Sequence, residues 1–231
     1  MGHVFGAFGK MPAVGDFFRS NVPPGFVRVW DAWLQQVLLT AQTQYGDQFD
    51  PHYMSAPLWR FTLAAGAAGP SKVMGVLMPS VDRVGRRFPL TLVVPLDGSA
   101  APAQDHFQAS TLFEQMENIA LSTLEKDISK SGLETDLAAL SLADMLRPAP
   151  MQQAGKTLVF RGTDDSCGRD PQLDAQLAGV LLAEKSPAGC LWSTHLASGP
   201  RLLVTEDLPL GQAALGLFDL GAPIWQEASP L

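Results

Sequence analysis

Apolar side chains recur along this 231-residue chain at two different spacings, and the switches between them predict its elements. Over 26–41, Phe26, Val29, Trp30, Trp33, Leu34, Val37, Leu38 and Ala41 return at steps of three and one, which lines one face of a helix. Before it, 4–8 is apolar with two aromatics and runs into Gly9, as in a buried first strand, and a turn through Pro12 and Gly15 follows. From 58 to 96 the pattern breaks into the short runs LWRFTLAAG, VMGVLMP and FPLTLVVPL, separated by Gly, Pro and Ser. Such runs predict three adjacent strands, partly antiparallel. Helical spacing resumes through Leu112, Phe113, Met116, Ile119, Ala120, Leu124 and Ile128, with Gly132 placed to end it in a left-handed cap. A further helix is predicted over 134–146, stopping before Pro148.

Later in the chain, 157–161 reads as a strand and Asp170–Pro171 as the start of a helix carrying Leu173, Leu177, Val180 and Leu181. Strands over 191–196 and 202–205 and a short helix over 212–219 complete the pattern. The stretches 97–105 and 147–156 are rich in Pro, Ala, Gly and Gln, and either suits a loop within one domain spanning 1–231. Strands and helices in this order predict an α/β fold with helices on both sides of a central mixed sheet.

Composition narrows the class. Hydrophobic residues make up 46% and charged residues only 17%, against about 25% charged in an average globular protein, which excludes a disordered chain. A core of this size needs no disulfide framework, and Cys167 and Cys190 have no second pair nearby, so both read as reduced thiols. No uncharged apolar run approaches the roughly 18 residues of a bilayer span, and the N-terminus lacks the order of a signal peptide. The expectation is a soluble, cytoplasmic protein. Its net charge of −7 is unevenly spread: residues 1–100 carry eight Lys/Arg against six Asp and no Glu, whereas 101–231 carry eight against seventeen Asp/Glu. An acidic half repels a phosphate backbone, so a protein partner is expected rather than nucleic acid.

Simple catalytic templates do not fit. Gly9–Lys10 lacks both the glycine five positions before it and the following hydroxyl of a phosphate loop, since Val4 and Met11 stand there. Gly2, Gly6 and Gly9 do not give dinucleotide-binding spacing, and there is no Gly-x-Ser-x-Gly elbow. His3, His52, His106 and His195 form no helical ligand pair, so no metal or other cofactor is expected.

Charged residues within apolar surroundings are more informative. The stretch PSVDRVGRRFP at 79–89 sets Asp82, Arg83, Arg86 and Arg87 around Gly85 between two predicted strands. Guanidinium groups on a short turn can grip a carboxylate or phosphate bidentately. Alternatively, Asp82 pairs with one arginine to pin the strand connection while the others are solvated. Lys10, Asp16, Arg19, Arg28 and Asp31 flank the first turn and helix, with Lys10 read as solvated or paired with Asp16, and Arg28 with Asp31 as an ordinary surface pair. Trp30 and Trp33 are core anchors or, if exposed, a partner-binding hot spot. Asp16 and Asp82, with the arginines, are also the best set for an enzyme holding Mg²⁺ and a phosphorylated ligand.

The sequence GAFGKMPAVGDFFRSNVPPGFVRVWDAWLQ, then SAPLWRF, then GVLMPSVDRVGRRFPLTL, resembles the TagF (ImpM) family of type VI secretion-associated proteins. The matching features are G-x-x-G-K-x-P-x-x-G-D-F-x-R from Gly6 to Arg19, W-D-x-W-L from Trp30 to Leu34, P-L-W-R-F from Pro57 to Phe61, and P-S-V-D-R-V-G-R-x-F-P-L from Pro79 to Leu90. They cover most of 1–95, and 101–231 matches more loosely: a Ser-x-Trp-Trp segment is expected near 189–193, where this chain has Cys190, Leu191 and Trp192. The resemblance implies a three-layer α/β/α sandwich. It also implies a cytoplasmic, non-catalytic repressor of type VI secretion that acts after translation by binding a forkhead-associated-domain component. Some members carry a fused metal-dependent phosphatase domain, which is not expected here. The candidate partner-binding residues are Lys10, Asp16, Arg19, Trp30, Arg60, Asp82, Arg83, Arg86 and Arg87, with a phospho-ligand enzyme or a structural subunit of the apparatus as the alternatives.

Overall fold

The computed structural model describes residues 4–125, 128–145, 151–155, 157–160 and 171–226. Its strands are β1 (Gly6–Gly9), β2 (Phe18–Ser20), β3 (Trp59–Leu63), β4 (Lys72–Met78), β5 (Leu90–Leu96), β6 (Met151–Ala154), β7 (Thr157–Phe160), β8 (Cys190–Leu196) and β9 (Gly199–Thr205). Its α-helices are α1 (Phe26–Tyr45), α2 (Phe49–Ser55), α3 (Pro102–Gln108), α4 (Ser110–Ser122), α5 (Lys130–Ala139), α6 (Pro171–Lys185), α7 (Gly211–Leu215) and α8 (Pro223–Gln226). Among the described residues, no helix is long and apolar enough to cross a membrane.

Seven strands form one sheet in the order β2-β1-β5-β4-β3-β8-β9, and β6 pairs with β7 apart from it. The predicted α/β layering is present, but the sheet is antiparallel in every pairing rather than mixed. The reason lies in the connections. Residues 64–71 and 79–89 join β3 to β4 and β4 to β5 without a helix, and 197–198 join β8 to β9, whereas parallel neighbours need a long crossover. The runs on β3, β4 and β5 look continuous rather than alternating because helices cover both faces.

On the first face, Phe61 and Leu63 of β3, Val73 and Leu77 of β4 and Trp192 of β8 meet Phe26, Trp30, Trp33, Leu34 and Val37 of α1. Each large apolar side chain fully removed from water here contributes about 1.5–3 kcal/mol. Trp30 is stacked 5.9 Å from Trp192 and lies 4.9 Å from Phe61 between ring centroids, and its Nε1–H donates to Thr91 Oγ1 at 2.8 Å. The segment after β9 is tied to the same face by two indoles: Trp33 Nε1 donates to the Pro209 carbonyl and Trp59 Nε1 to that of Leu217, both at 2.8 Å. On the second face, Met74, Val76, Leu90, Leu92 and Val94 pack under Leu112, Phe113 and Met116 of α4 and Leu133 and Leu137 of α5. Gly75 faces the first layer opposite Phe61, where an added Cβ would stand 2.1 Å from the Leu92 carbonyl oxygen and 2.6 Å from Phe61 Cζ. No larger residue fits.

Several predicted boundaries move. The first strand is Gly6–Gly9, and α4 ends at Ser122 rather than running toward Gly132. Gly132 instead lies in the first turn of α5, donating its N–H to the N-cap Ser129 Oγ at 3.2 Å, so α5 starts earlier than 134. It stops at Ala139 because Leu140 and Ser141 are extended and Ser141 caps a 3₁₀ turn at Leu142–Asp144. The stretch 147–156, read as linker, supplies β6, the partner of the predicted strand β7. Asp170 and Cys167 lie outside the described residues.

Candidate functional site

The charged residues singled out in the first hundred positions assemble mainly at one place, where the loop after β1 meets the β4–β5 connection. β1 ends at Gly9, whose φ of 132° and position against the Pro89 carbonyl, 2.1 Å from where a Cβ would sit, leave room for glycine alone. The next residue, Lys10, is therefore turned into the protein. Only 6% of its side chain is exposed, and its Nζ lies 3.2 Å from Asp82 Oδ2. This corrects the expected solvated Lys10 or Lys10–Asp16 pair: an ammonium removed from water needs a buried carboxylate close by.

Asp82 organises the connection around it. Its Oδ1 accepts the amides of Val84 at 3.0 Å and Arg86 at 2.9 Å, and its Oδ2 accepts Arg86 Nε at 2.6 Å. Gly85, at φ 84°, turns the backbone so that Asp82 N–H donates to the Arg86 carbonyl at 3.0 Å. Burial opposes charge on Asp82, but the Arg86 amide and guanidinium, the Lys10 ammonium and the Val84 amide outweigh it and hold the carboxyl well below the usual carboxylate range. The internal pairing of Asp82 with one arginine is thus present. The turn is clasped to the neighbouring loop by Arg83 N–H donating to the Val14 carbonyl at 3.1 Å and Arg86 Nη2 to that of Gly15 at 2.7 Å.

Outside this buried clasp the two joined loops expose mixed chemistry. Phe17 is 47% exposed and Val84 69%, and the Phe17 ring is held edge-on against Phe88 at 4.7 Å with Lys10 Nζ 4.7 Å from its centroid. Arg83 is exposed, its guanidinium lying over Gly15, and the exposed Arg87 pairs with Asp50 of α2. Asp16 is exposed and accepts the Phe17 amide at 2.8 Å, and Arg19 is exposed on the edge strand β2. Asp31 accepts Gln35 Nε2 at 2.7 Å in place of the expected Arg28 pair.

Two candidates stand elsewhere. Trp30 is fully buried, so its indole belongs to the aromatic core and presents no surface. Arg60, mid-strand on β3, forks onto Glu117 of α4 through Nε at 2.6 Å and Nη2 at 2.7 Å, on the second face of the sheet. Beside it, His106 bridges Thr62 Oγ1 at 2.9 Å and Ser193 Oγ at 2.8 Å. Burial, then the charges of Arg60 and His195, push its imidazole down to about 3, so it is neutral at neutral pH. Sequence reasoning passed over His106, Glu117 and Ser193. A cue existed: Arg60 and Thr62 interrupt the apolar run of β3 on one face, and Glu117 interrupts the apolar stripe of α4, so each needs a polar partner.

Among the described residues, no three His, Cys, Asp or Glu side chains converge as metal ligands. A family profile described as the TagF N-terminal domain, type VI secretion system-associated, matches residues 6–140. The crystal structure of PA0076 from Pseudomonas aeruginosa PAO1, at 2.05 Å resolution, is 30% identical in sequence, and the match covers 98% of this chain and 97% of that one with a TM-score of 0.75. No curated protein matches the chain. The profile spans both clasped loops and the structural match extends through β8 and β9, so the chain belongs to the TagF family of type VI secretion-associated proteins.

Proposed function

We propose that this chain is a non-catalytic, cytoplasmic regulator that represses type VI secretion after translation by binding a forkhead-associated-domain component of the apparatus. The observation that carries this reading is membership of the type VI secretion-associated family across the segment holding the clasp. The contact face is the pair of loops bearing Phe17, Arg83, Val84 and Arg87. An exposed aromatic and an exposed aliphatic beside guanidinium groups are the residue types that dominate protein interfaces. A non-catalytic role accords with the state of Asp82, whose two oxygens are already taken by Lys10, Arg86 and two amides, which leaves a Mg²⁺ ion little to bind.

The test is a binding measurement between the full chain and the forkhead-associated protein from the same secretion cluster. Arg83→Glu combined with Val84→Asp weakens the complex about tenfold or more, because both residues are exposed and the fold is untouched. Arg86 is unsuitable for this purpose, since it braces Asp82. Absence of a complex with the unaltered chain refutes the partner, and unchanged affinity of the double variant removes the loops from the interface. Release of phosphate from phosphopeptides with Mg²⁺, lost in Asp82→Asn, would refute the non-catalytic reading.

A further inference from the structure

The seven-stranded sheet ends differently on its two sides. At one edge stands β2, three residues long, with the exposed Arg19 in its middle and, just after it, Asn21 at φ 48° and the Pro23–Pro24 pair. Short length, charge and proline are means by which proteins keep an edge from pairing. At the other edge stands β9, seven residues long against a usual five or six. Its register with β8 runs unbroken from Gly199 to Thr205, so there is no bulge to twist the edge away. Its one charge is Arg201, and its one proline, Pro200, lies at the end next to the turn.

Leu196 and Gly199 flank the two-residue turn 197–198 and so form a hydrogen-bonded pair. Bonding to β8 then alternates through Gly199, Arg201, Leu203 and Thr205, and the N–H and C=O groups of Leu202 and Val204, with the C=O of Pro200, point outward. Among the described residues no strand or loop backbone meets them. The side chains of the same three residues share a face. Leu203 lies opposite Trp192 and packs on the core of the first face, so Pro200, Leu202 and Val204, opposite His195, Ser193 and Leu191, belong to the second. Leu202 is 43% exposed. An unpaired row of backbone groups edged by an apolar strip is a template for a further strand.

We propose that two copies of this chain pair antiparallel along β9, about a two-fold axis at Leu202. That register sets Leu202 against the second copy's Leu202 and Pro200 against its Val204. It uses every outward group: the two Leu202 residues exchange N–H to C=O bonds, and each Val204 N–H donates to a Pro200 carbonyl. The N–H that proline lacks is missed only at the ends of the ladder. On the first face Arg201 falls opposite the second copy's Leu203, so no like charges stand directly opposed. An axis at Val204 would instead bring Leu202 against Glu206. Because the row matches its own inverse, a second copy fits it along its length, as a two-fold contact requires. The contact also closes, since the joined sheet ends on both sides in β2, whose edge is protected. The clasped loops, beside β1 and β5, lie toward the other end of the sheet and stay open.

Sedimentation velocity of the full chain over a concentration series tests this. The expected result is a mass that rises from 24.7 kDa toward twice that value and goes no further. Leu202→Lys, at an exposed side chain, sets two ammonium groups face to face and weakens the dimer at least about tenfold. Leu39→Lys, at an exposed leucine of α1, leaves it unchanged and serves as the control for general stickiness. A milder substitution reads the register. With Cys167 replaced by serine and Cys190 buried, Leu202→Cys is oxidised to a covalent dimer and Leu39→Cys is not. The Cα atoms of a hydrogen-bonded antiparallel pair stand about 5.5 Å apart, within disulfide range. The proposal is overturned by a chain that stays monomeric up to about 0.5 mM, whether or not β9 takes up a strand of another protein. It is overturned equally by a dimer that Leu202→Lys weakens no more than Leu39→Lys does, or in which Leu202→Cys links no faster than Leu39→Cys.

Discussion

Replacing Thr91 by valine keeps the shape of the side chain and removes the acceptor of the Trp30 Nε1–H bond, which is 2.8 Å long and buried. Water does not reach the orphaned donor, because both Trp30 and Thr91 are 0% exposed. An unsatisfied buried donor costs about 1–3 kcal/mol, against about 0.5–1.5 kcal/mol for the net worth of the bond itself. A loss near 2 kcal/mol lowers Tm by about 4–8 °C in a chain of this length. Trp30→Phe removes the donor but also shrinks a ring packed against Phe26, Trp33, Phe61 and Trp192, and so adds a cavity. When both changes are combined, no donor is left orphaned, and the double variant is more stable than the sum of the single losses predicts by about 1 kcal/mol or more. Denaturant titration of the four proteins measures the cycle. Thr91→Val within about 0.5 kcal/mol of the parent, or strict additivity to within about 0.5 kcal/mol, refutes the reasoning. The same variants decide the role of the indole: a folded Trp30→Phe chain keeps its full affinity for its partner if Trp30 acts only in the core, and loses it if Trp30 is a contact.

Gly75→Ala forces a methyl group against the Leu92 carbonyl and the Phe61 ring, and destabilises by about 1–3 kcal/mol or more, seen as a fall in Tm or loss of soluble protein; near-parental stability contradicts the packing described. Because the Asp82 carboxyl is held below its ordinary range near pH 4, it contributes stability that is complete above that pH and lost as the pH falls through its lowered folded value. Asp82→Asn therefore lowers stability at neutral pH and flattens acid unfolding below about pH 4, and a parallel acid-unfolding curve for the variant would count against the clasp. The His106 imidazole, pushed down to about 3 from 6.5, contributes stability that is present above pH 6.5 and lost toward pH 3. Its ring resonances in a proton NMR titration stay fixed between about pH 5 and 8, and a midpoint near 6.5 would show that the ring is solvated.

How far the fold could be read depended on whether the information was local. The stripe from Phe26 to Ala41 repeats often enough that it can only be a helix, and α1 spans it fully. The runs at 58–96 are too short and too punctuated for helices, and β3, β4 and β5 lie within them. Strand direction is not local: it follows from which strand each hydrogen-bonds, and β8 reaches β3 across the intervening residues 64–189, a pairing that no periodicity records. Gly132 shows the same limit at short range. A glycine after an apolar stripe reads as a cap, yet Ser129 three positions before it begins the next helix and claims its N–H. Trp192, in the segment that departs from the family pattern, lies at the centre of the aromatic core, because what the core requires there is a flat ring beside Trp30 and Phe61.

The candidate site was legible in its residue types and not in its pairings. Lys10 and Asp82 stand out because each is a charge in an apolar stretch, and such charges survive folding only in company. Which company follows from sheet order: β1 lies beside β5, so the residue leaving β1 meets the turn entering β5, and Lys10 reaches Asp82 rather than the nearer Asp16. The same rule sends Arg60 to Glu117 and His106, because β3 lies beneath α3 and α4, and so separates it from the arginines of the 79–89 turn with which its residue type had grouped it. One inventory of arginines thereby divides into two places of different character: Arg86 is consumed in holding the loops together with Arg83 exposed beside it, and Arg60 is buried against Glu117 on the second face of the sheet. Substitutions at the exposed Arg83 and Val84 therefore leave the Arg60–Glu117 pair intact, and the loop face can be altered in an otherwise unchanged fold.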